Sequence, residues 1–394
     1  MKTISRVSCL LLVLLAPLAG LSVAQNPHKK PARQGQYLAY VGTYTTKTDS
    51  KGIYAYRFDA TSGELSAIGL AAESGDPSFV AVHPSGKYLY TVNEIGNVGG
   101  SNSGAVSAFA IDSKTGKLTF LNQVATRGAG PCHVSLDKTG RFVLVANYDG
   151  GSVAVFPVQA DGSLGKDPVF VQHTGSGPNK ERQEAPHAHW IGTSPDNRFA
   201  LAVDLGLDEI LVYRFDSTKG SIAPNNPPFA KMNPGAGPRH LAFRRDGKFA
   251  YVLTEMENAV TAFSYSQKNG SLSALQTVST LPKDYSGPKE AAELIVHPAG
   301  KFLYASNRAG IDSLTAFAID PAKGTLRLVG HYSTRGKTPR HFAIDPTGTF
   351  LLAANEDSNN IVVFKIDSVT GGLTPTGQTV EVPSPVCITF VPAE

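Results

Sequence analysis

Apolar runs of five or six residues, each launched by a polar turn and closed by a polar residue, recur along the chain. Six segments share the pattern: HPSGKYLYTVNE (83–94), DKTGRFVLVANY (137–148), SPDNRFALAVDL (194–205), RRDGKFAYVLTE (244–255), HPAGKFLYASNR (297–308) and DPTGTFLLAANE (345–356). Their turn residues Gly86, Gly140, Asn197, Gly247, Gly300 and Gly348 are spaced by 54, 57, 50, 53 and 48 residues, a period typical of solenoids and propellers. Each segment is followed by an alternating strand, a Gly-containing turn and a further strand, as in VSAFAIDSKTGKL and IVVFKIDSVTGGL. Two hairpins per repeat predict four strands, and no stretch of the mature chain carries helical periodicity.

A seventh copy is divided between the two ends. YLAYVGTY (37–44) matches a second strand and IYAYRFDATSGEL (53–65) an outer hairpin, while SPVCITFVP (384–392) matches the missing innermost strand. The pattern therefore predicts one all-β, seven-bladed β-propeller with four antiparallel strands per blade. Pairing of the C-terminal strand with the N-terminal blade closes the ring and protects the sheet edges.

The repeat overrides the two or three domains that 394 residues would otherwise suggest. Residues 1–24 read as a cleaved signal peptide: Lys2 and Arg6 precede an apolar run from Leu10 to Leu15, and Ser22, Val23 and Ala24 supply a small-residue cleavage site. Residues 25–36 read as a flexible leader and 37–394 as a single propeller domain. An exported protein, periplasmic or secreted, is expected, with no membrane association after signal cleavage, because no other apolar run approaches the ~20 residues of a membrane span. The 36 Lys and Arg against 32 Asp and Glu fall to 34 against 32 once Lys2 and Arg6 are removed, a net +2 that argues against a nucleic-acid partner. Only Cys132 and Cys387 survive processing, so neither a disulfide framework nor a four-ligand zinc site is expected.

In such a blade, the loop into the innermost strand and the loop out of the second strand open on one face. The first position after the aligned Pro of the incoming loops holds Ser78, Cys132, His189, Arg239, Ala292, Arg340 and Val386. The second holds Phe79, His133, Trp190, His240, Glu293, His341 and Cys387. Alternation turns the second position toward the axis, so His133, His240, Glu293 and His341 are expected at the channel mouth. Asn93, Asn147, Asn307 and Asn355, which end second strands, are expected to bond their own backbone. The charged residues at these ends, Glu94, Glu255, Arg308 and Glu356, converge on the same mouth as Arg239 and Arg340. A ring of His, Arg and Glu suits anion binding and proton transfer. The Gly-x-Gly pairs at 128, 175 and 235 lead into strands and are turn residues, and hydrolase-elbow, zincin and complete P-loop motifs are absent. His187 and His189 could offer two metal ligands, but the arginines on the same face would repel a cation. One of the two is therefore expected to be structural and the other to face substrate, with no metal bound.

VGTYT (41–45), PHAH (186–189), GPRH (237–240) with Glu255 after it, SNR (306–308) and TPRHFAIDPTG (338–348) resemble the seven-bladed lactonase family. That group includes propeller-type 6-phosphogluconolactonases and fungal carboxymuconate-lactonizing enzymes, and the likeness runs from Tyr37 to Pro392. The resemblance implies a cofactor-free, metal-independent site built from His189, Arg239, Glu255 and Arg308. Its substrate would be a small lactone; the ring of charged residues read from the blade pattern points to an anionic one and adds His133, His187, His240, Glu293, Arg340, His341 and Glu356 as further substrate-binding candidates. Hydrolysis of a sugar lactone is expected, with Glu255 or His189 as general base and the arginines holding the anion or the oxyanion. The alternatives are a cycloisomerase acting on a muconate-like dicarboxylate and a non-catalytic exported propeller that binds protein or glycan. One feature departs from the family: an export signal does not match the cytosolic origin of 6-phosphogluconolactone.

Overall fold

The structure is a computed structural model that describes residues 35–46, 48–98 and 101–394. The expected signal peptide, and the leader up to residue 34, lie outside the described residues. The described residues contain 28 strands and no helix, arranged as seven four-stranded antiparallel sheets. From the axis outward, blade 1 runs Pro385–Pro392, Gln36–Thr43, Gly52–Asp59 and Glu64–Glu73, and blade 2 runs Val80–Val82, Tyr88–Asn93, Ala105–Ile111 and Leu118–Ala125. Blade 3 runs Pro131–Leu136, Phe142–Asn147, Ser152–Pro157 and Val169–Gln172, and blade 4 runs Ala188–Thr193, Phe199–Asp204, Glu209–Asp216 and Ser221–Lys231. Blade 5 comprises Pro238–Phe243, Phe249–Thr254, Ala259–Tyr265 and Leu272–Ser279, and blade 6 comprises Ala291–Val296, Phe302–Asn307, Ser313–Ile319 and Leu326–Ser333. Blade 7 comprises Pro339–Ile344, Phe350–Asn355, Asn360–Ile366 and Leu373–Glu381. The seven-bladed propeller expected from the repeat is the architecture found, and ring closure is as expected: Tyr37 pairs with Pro392 and Val41 with Ile388.

The turn residues that set the period all adopt a left-handed backbone, with φ between 59° at Asn197 and 76° at Gly348. Glycine enters that region without strain, and Asn is the L-residue that best substitutes for it. Second strands such as Phe142–Asn147 and Phe302–Asn307 are buried throughout, because both of their faces pack on neighbouring blades. Seven hydrophobic clusters result, one at each interface between blades. Leu144 and Val155 meet Ile191 and Tyr213 between blades 3 and 4, and Phe58 and Ile388 meet Phe350 and Val363 across the closure.

The asparagines that end the second strands are structural, but they do not bond their own backbone. Asn93 Nδ2 donates to Gly75 O (2.7 Å), Asn147 Nδ2 to Thr126 O (3.4 Å) and Asn355 Nδ2 to Thr334 O (3.3 Å). Each ties its strand end to the loop arriving from the preceding blade. A buried carbonyl left by that loop is a stronger demand than a local turn.

Candidate active site

The innermost strands do not alternate cleanly at their start. In six blades the ladder slips at the start of the strand, beside Pro in four and Ala in two, so that Cys132, His189, Arg239, Arg340 and Val386 are skipped in the pairing, as is the Ala292–Glu293 pair. A bulge of this kind puts an unpaired residue next to a paired one and re-aims its side chain. The unpaired residues Cys132, His189 and Arg340 line a cleft of about 260 Å³, together with Tyr148, Glu255 and Arg308 from second-strand ends.

Glu255 is the hub. Its Oε2 accepts from Arg239 Nε (3.1 Å) and Arg308 Nη2 (3.3 Å), and its Oε1 accepts from Arg182 Nη2 (2.6 Å). Burial alone would raise its pKa. The guanidiniums of Arg308, Arg239 and Arg182 outweigh burial and hold the carboxyl at about 2. Arg239 also donates through Nη1 to Ala292 O, and burial with the Arg308 and Arg340 charges lowers its own pKa to about 10. Arg308 approaches Glu290 at 3.8 Å and keeps a buried Nε without a partner. Arg340 lies over the Tyr44 ring and 3.8 Å from Glu94.

His189 is buried, its Nδ1 lies 3.8 Å from Cys132 Sγ, and among the described residues Nε2 has no hydrogen-bond partner. Burial, then the charge of Arg239, keep its pKa well below the usual imidazole value, so the ring is neutral at physiological pH. His133, His240, Glu293 and His341 are not among the residues lining this cleft. They form a buried layer around Phe79 beneath it, with His133 and Phe79 ring centroids 4.4 Å apart and His240 Nδ1 3.0 Å from Glu293 Oε1. A narrow space of about 10 Å³, the size of one water, touches Arg239, His240, Glu293 and His341. His187 lies behind Tyr148, stacked on it at 4.5 Å, and both its ring nitrogens face acceptors, Tyr148 O (3.1 Å) and Glu184 Oε1 (3.2 Å). Glu356 lines a neighbouring hollow with Tyr44 and Asp357. Among the described residues no group of three or more His, Cys, Asp or Glu side chains is placed to hold a metal ion.

Arg182 carries no motif and does not figure among the residues expected from sequence. It belongs to the stretch 173–187, the longest connection into an innermost strand. Asp204 pins both ends of that stretch, with Oδ2 2.6 Å from His173 Nδ1 and Oδ1 accepting from His187 N (2.8 Å). The length of the connection was the one available signal, since long loops on a rigid frame commonly carry function.

Residues 38–390 match the model of a family described as lactonase, seven-bladed β-propeller. A 6-phosphogluconolactonase of Bacillus subtilis is 42% identical over 356 residues, covering 90% of this chain and 99% of its own. Another, from Formosa agariphila, is 37% identical over 85% of this chain and 94% of its own. Among solved structures, a periplasmic gluconolactonase of Pseudomonas aeruginosa superposes with a TM-score of 0.85 at 37% identity, covering 91% of this chain and 100% of its own.

Proposed function

The chain belongs to the seven-bladed β-propeller lactonase family, and from that premise we propose that it hydrolyses a sugar lactone, as a 6-phosphogluconolactonase does, in the cleft around Glu255. The observation that carries the proposal is convergence: His189 of blade 4, Glu255 of blade 5 and Arg308 of blade 6 line one cleft, and the buried Arg239 of blade 5 bonds the same Glu255 oxygen as Arg308.

Glu255 is too weak a base for the task, because three guanidiniums stabilise its ionised form. It holds the arginines in place instead. His189 is neutral and is the general base: Nε2 takes a proton from water as the oxygen attacks the lactone carbonyl carbon. Negative charge then develops on the carbonyl oxygen, where N–H groups of Arg239 and Arg308 stabilise it in a site that is already organised. Collapse of the tetrahedral intermediate breaks the ring C–O bond, and the His189 imidazolium returns its proton to the leaving alkoxide. The product is an open-chain hydroxy acid.

The cleft lining balances Arg182, Arg308 and Arg340 against Glu94, Glu255 and Glu290, and the buried Arg239, bonded to Glu255, tips the sum to positive, which favours an anionic lactone. No metal enters this mechanism, so exhaustive chelation leaves turnover intact; loss of activity restored by one divalent ion would overturn it. The enzyme acts after export, in keeping with the N-terminal signal and the periplasmic relative. A pH-stat assay of the mature protein on phosphorylated and unphosphorylated aldonolactones, with spontaneous hydrolysis subtracted, tests the proposal. Acid release proportional to enzyme supports it; no acid release from any lactone refutes it.

A further inference from the structure

We propose that Glu293 is a positioning residue for this reaction, acting through the imidazole of His240 on the guanidinium of Arg239; the catalytic part of the inference rests on the role given to Arg239 above. Two neighbours that share no atoms fix the His240 tautomer. Nε2 faces Arg239 Nη1 at 3.3 Å, and a guanidinium nitrogen can only donate, so Nε2 carries the lone pair. Nδ1 therefore carries the proton and donates it to Glu293 Oε1 at 3.0 Å. Oε1 also accepts from Leu294 N (2.8 Å). The same logic fixes His341: Ile388 N donates to Nδ1 (3.3 Å), so the proton sits on Nε2, which lies 3.3 Å from Glu293 Oε2 without a hydrogen bond to it.

The bulge in the innermost strand of blade 6 thus serves Arg239 twice. The carbonyl of Ala292 accepts from Nη1 directly, and the next residue, Glu293, reaches the same nitrogen through His240. Glu293 is held from its own side by a bond from its N to Ser306 Oγ (3.0 Å). All of these groups are buried and the space beside them is no larger than one water, so bulk solvent offers no substitute acceptor for His240 Nδ1. Arg239 Nε and Nη1 are thus both engaged, while Nη2 has no hydrogen-bond partner among the described residues.

Two substitutions separate this role from simple charge or simple packing. Glu293→Gln can keep its amide oxygen where Oε1 stands, accepting from Leu294 N and His240 Nδ1. Its NH2 then takes the place of Oε2, which bonds nothing and lies 3.3 Å from the His341 Nε2–H, so the misfit falls on His341 rather than on His240 or Arg239. Glu293→Met fills the same space but leaves His240 Nδ1 without an acceptor, which lets the proton move to Nε2 against Arg239. Expected results are a kcat about 10-fold or more lower for Glu293→Met, since small misplacements of a catalytic group are that costly, and most of kcat retained by Glu293→Gln. A charge role predicts equal losses in both variants, and a packing role predicts little loss in Glu293→Met; either result overturns the proposal. Long-range ¹H–¹⁵N spectra of histidine-labelled protein, with the His240 signals identified by their absence in His240→Gln, read the tautomer directly. A protonated Nδ1 in the native protein and in Glu293→Gln, lost in Glu293→Met, supports the link. A protonated Nε2 in the native protein refutes it, whether or not the protein hydrolyses lactones.

Discussion

Replacing Glu255 by Gln removes the one negative charge shared by three guanidiniums while keeping the side chain's shape. The carboxyl is held at about 2 against an ordinary 4.5, a difference worth roughly 3 kcal/mol at ~1.36 kcal/mol per unit. Because the folded pKa lies below the unfolded one, this stabilisation is fully present above the ordinary pKa and is lost as pH falls toward 2. Gln has none of it at any pH, and it leaves Arg239 and Arg308, both buried, without the carboxylate they share. For a domain of this size, ~3 kcal/mol corresponds to a Tm about 4 °C lower. Thermal unfolding followed by circular dichroism at pH 7, 5 and 3 should show that gap in full at the two higher values and a narrowing gap at pH 3. Kinetically, loss of the hub disorders both arginines, so kcat falls and KM rises together. A variant as stable as the native protein at pH 7, or a gap indifferent to pH, would refute the hub. A fall in kcat alone, with the acidic limb of the pH profile gone, would make Glu255 the base instead.

Burial and Arg239 hold the His189 pKa well below the usual imidazole range, so the base form persists as pH falls through ~6.5; kcat/KM should stay level from pH 8 to about 6, and a midpoint near 7 would count against His189. His189→Asn should lower kcat by about 100-fold or more. Arg308→Lys keeps the charge but loses Nε and the planar fork that faces Glu255 and Glu290, so initial rates should give a KM raised about 10-fold. Ending the chain at Pro383 removes the innermost strand of blade 1 with buried Cys387, Ile388 and Val391, and exposes the edge of Gln36–Thr43; the product should aggregate on size-exclusion chromatography, and a monomer with native Tm would show that closure is dispensable.

The fold was legible because its two periods were independent of each other. A turn at Gly86, Gly140 or Asn197 fixed where each second strand begins, and alternation in the following hairpin fixed the outer strands. The site was legible only in part. Arg239, Glu255 and Arg308 were expected at one mouth, and they meet through Glu255. Alternation also sent His133, His240, Glu293 and His341 to the mouth, whereas they pack as a layer under the cleft floor. A period of two assigns sides but not depth. Arg182 was invisible because it sits in a connection with no repeat to align against, where only the fold shows that Asp204 clasps both ends.

The bulges explain how both assignments could hold within one strand. Without a slip beside Pro238, Arg239 and His240 would project to opposite faces of blade 5, and only one could serve the axis. With the slip, Arg239 reaches Glu255 at the cleft while His240 meets Glu293 in the layer below, and Nη1 of Arg239 still touches His240 Nε2. Blade 4 repeats the arrangement with His189 in the cleft and Trp190 against His133, and blade 7 repeats it with Arg340 in the cleft and His341 against Glu293. Cleft and layer are therefore sequence neighbours in three blades. A substitution in the layer that changes volume presses on the backbone that carries a cleft residue, and one that changes the His240 tautomer acts on Arg239 through their direct contact, so the buried histidines constrain the chemistry above them without touching a substrate.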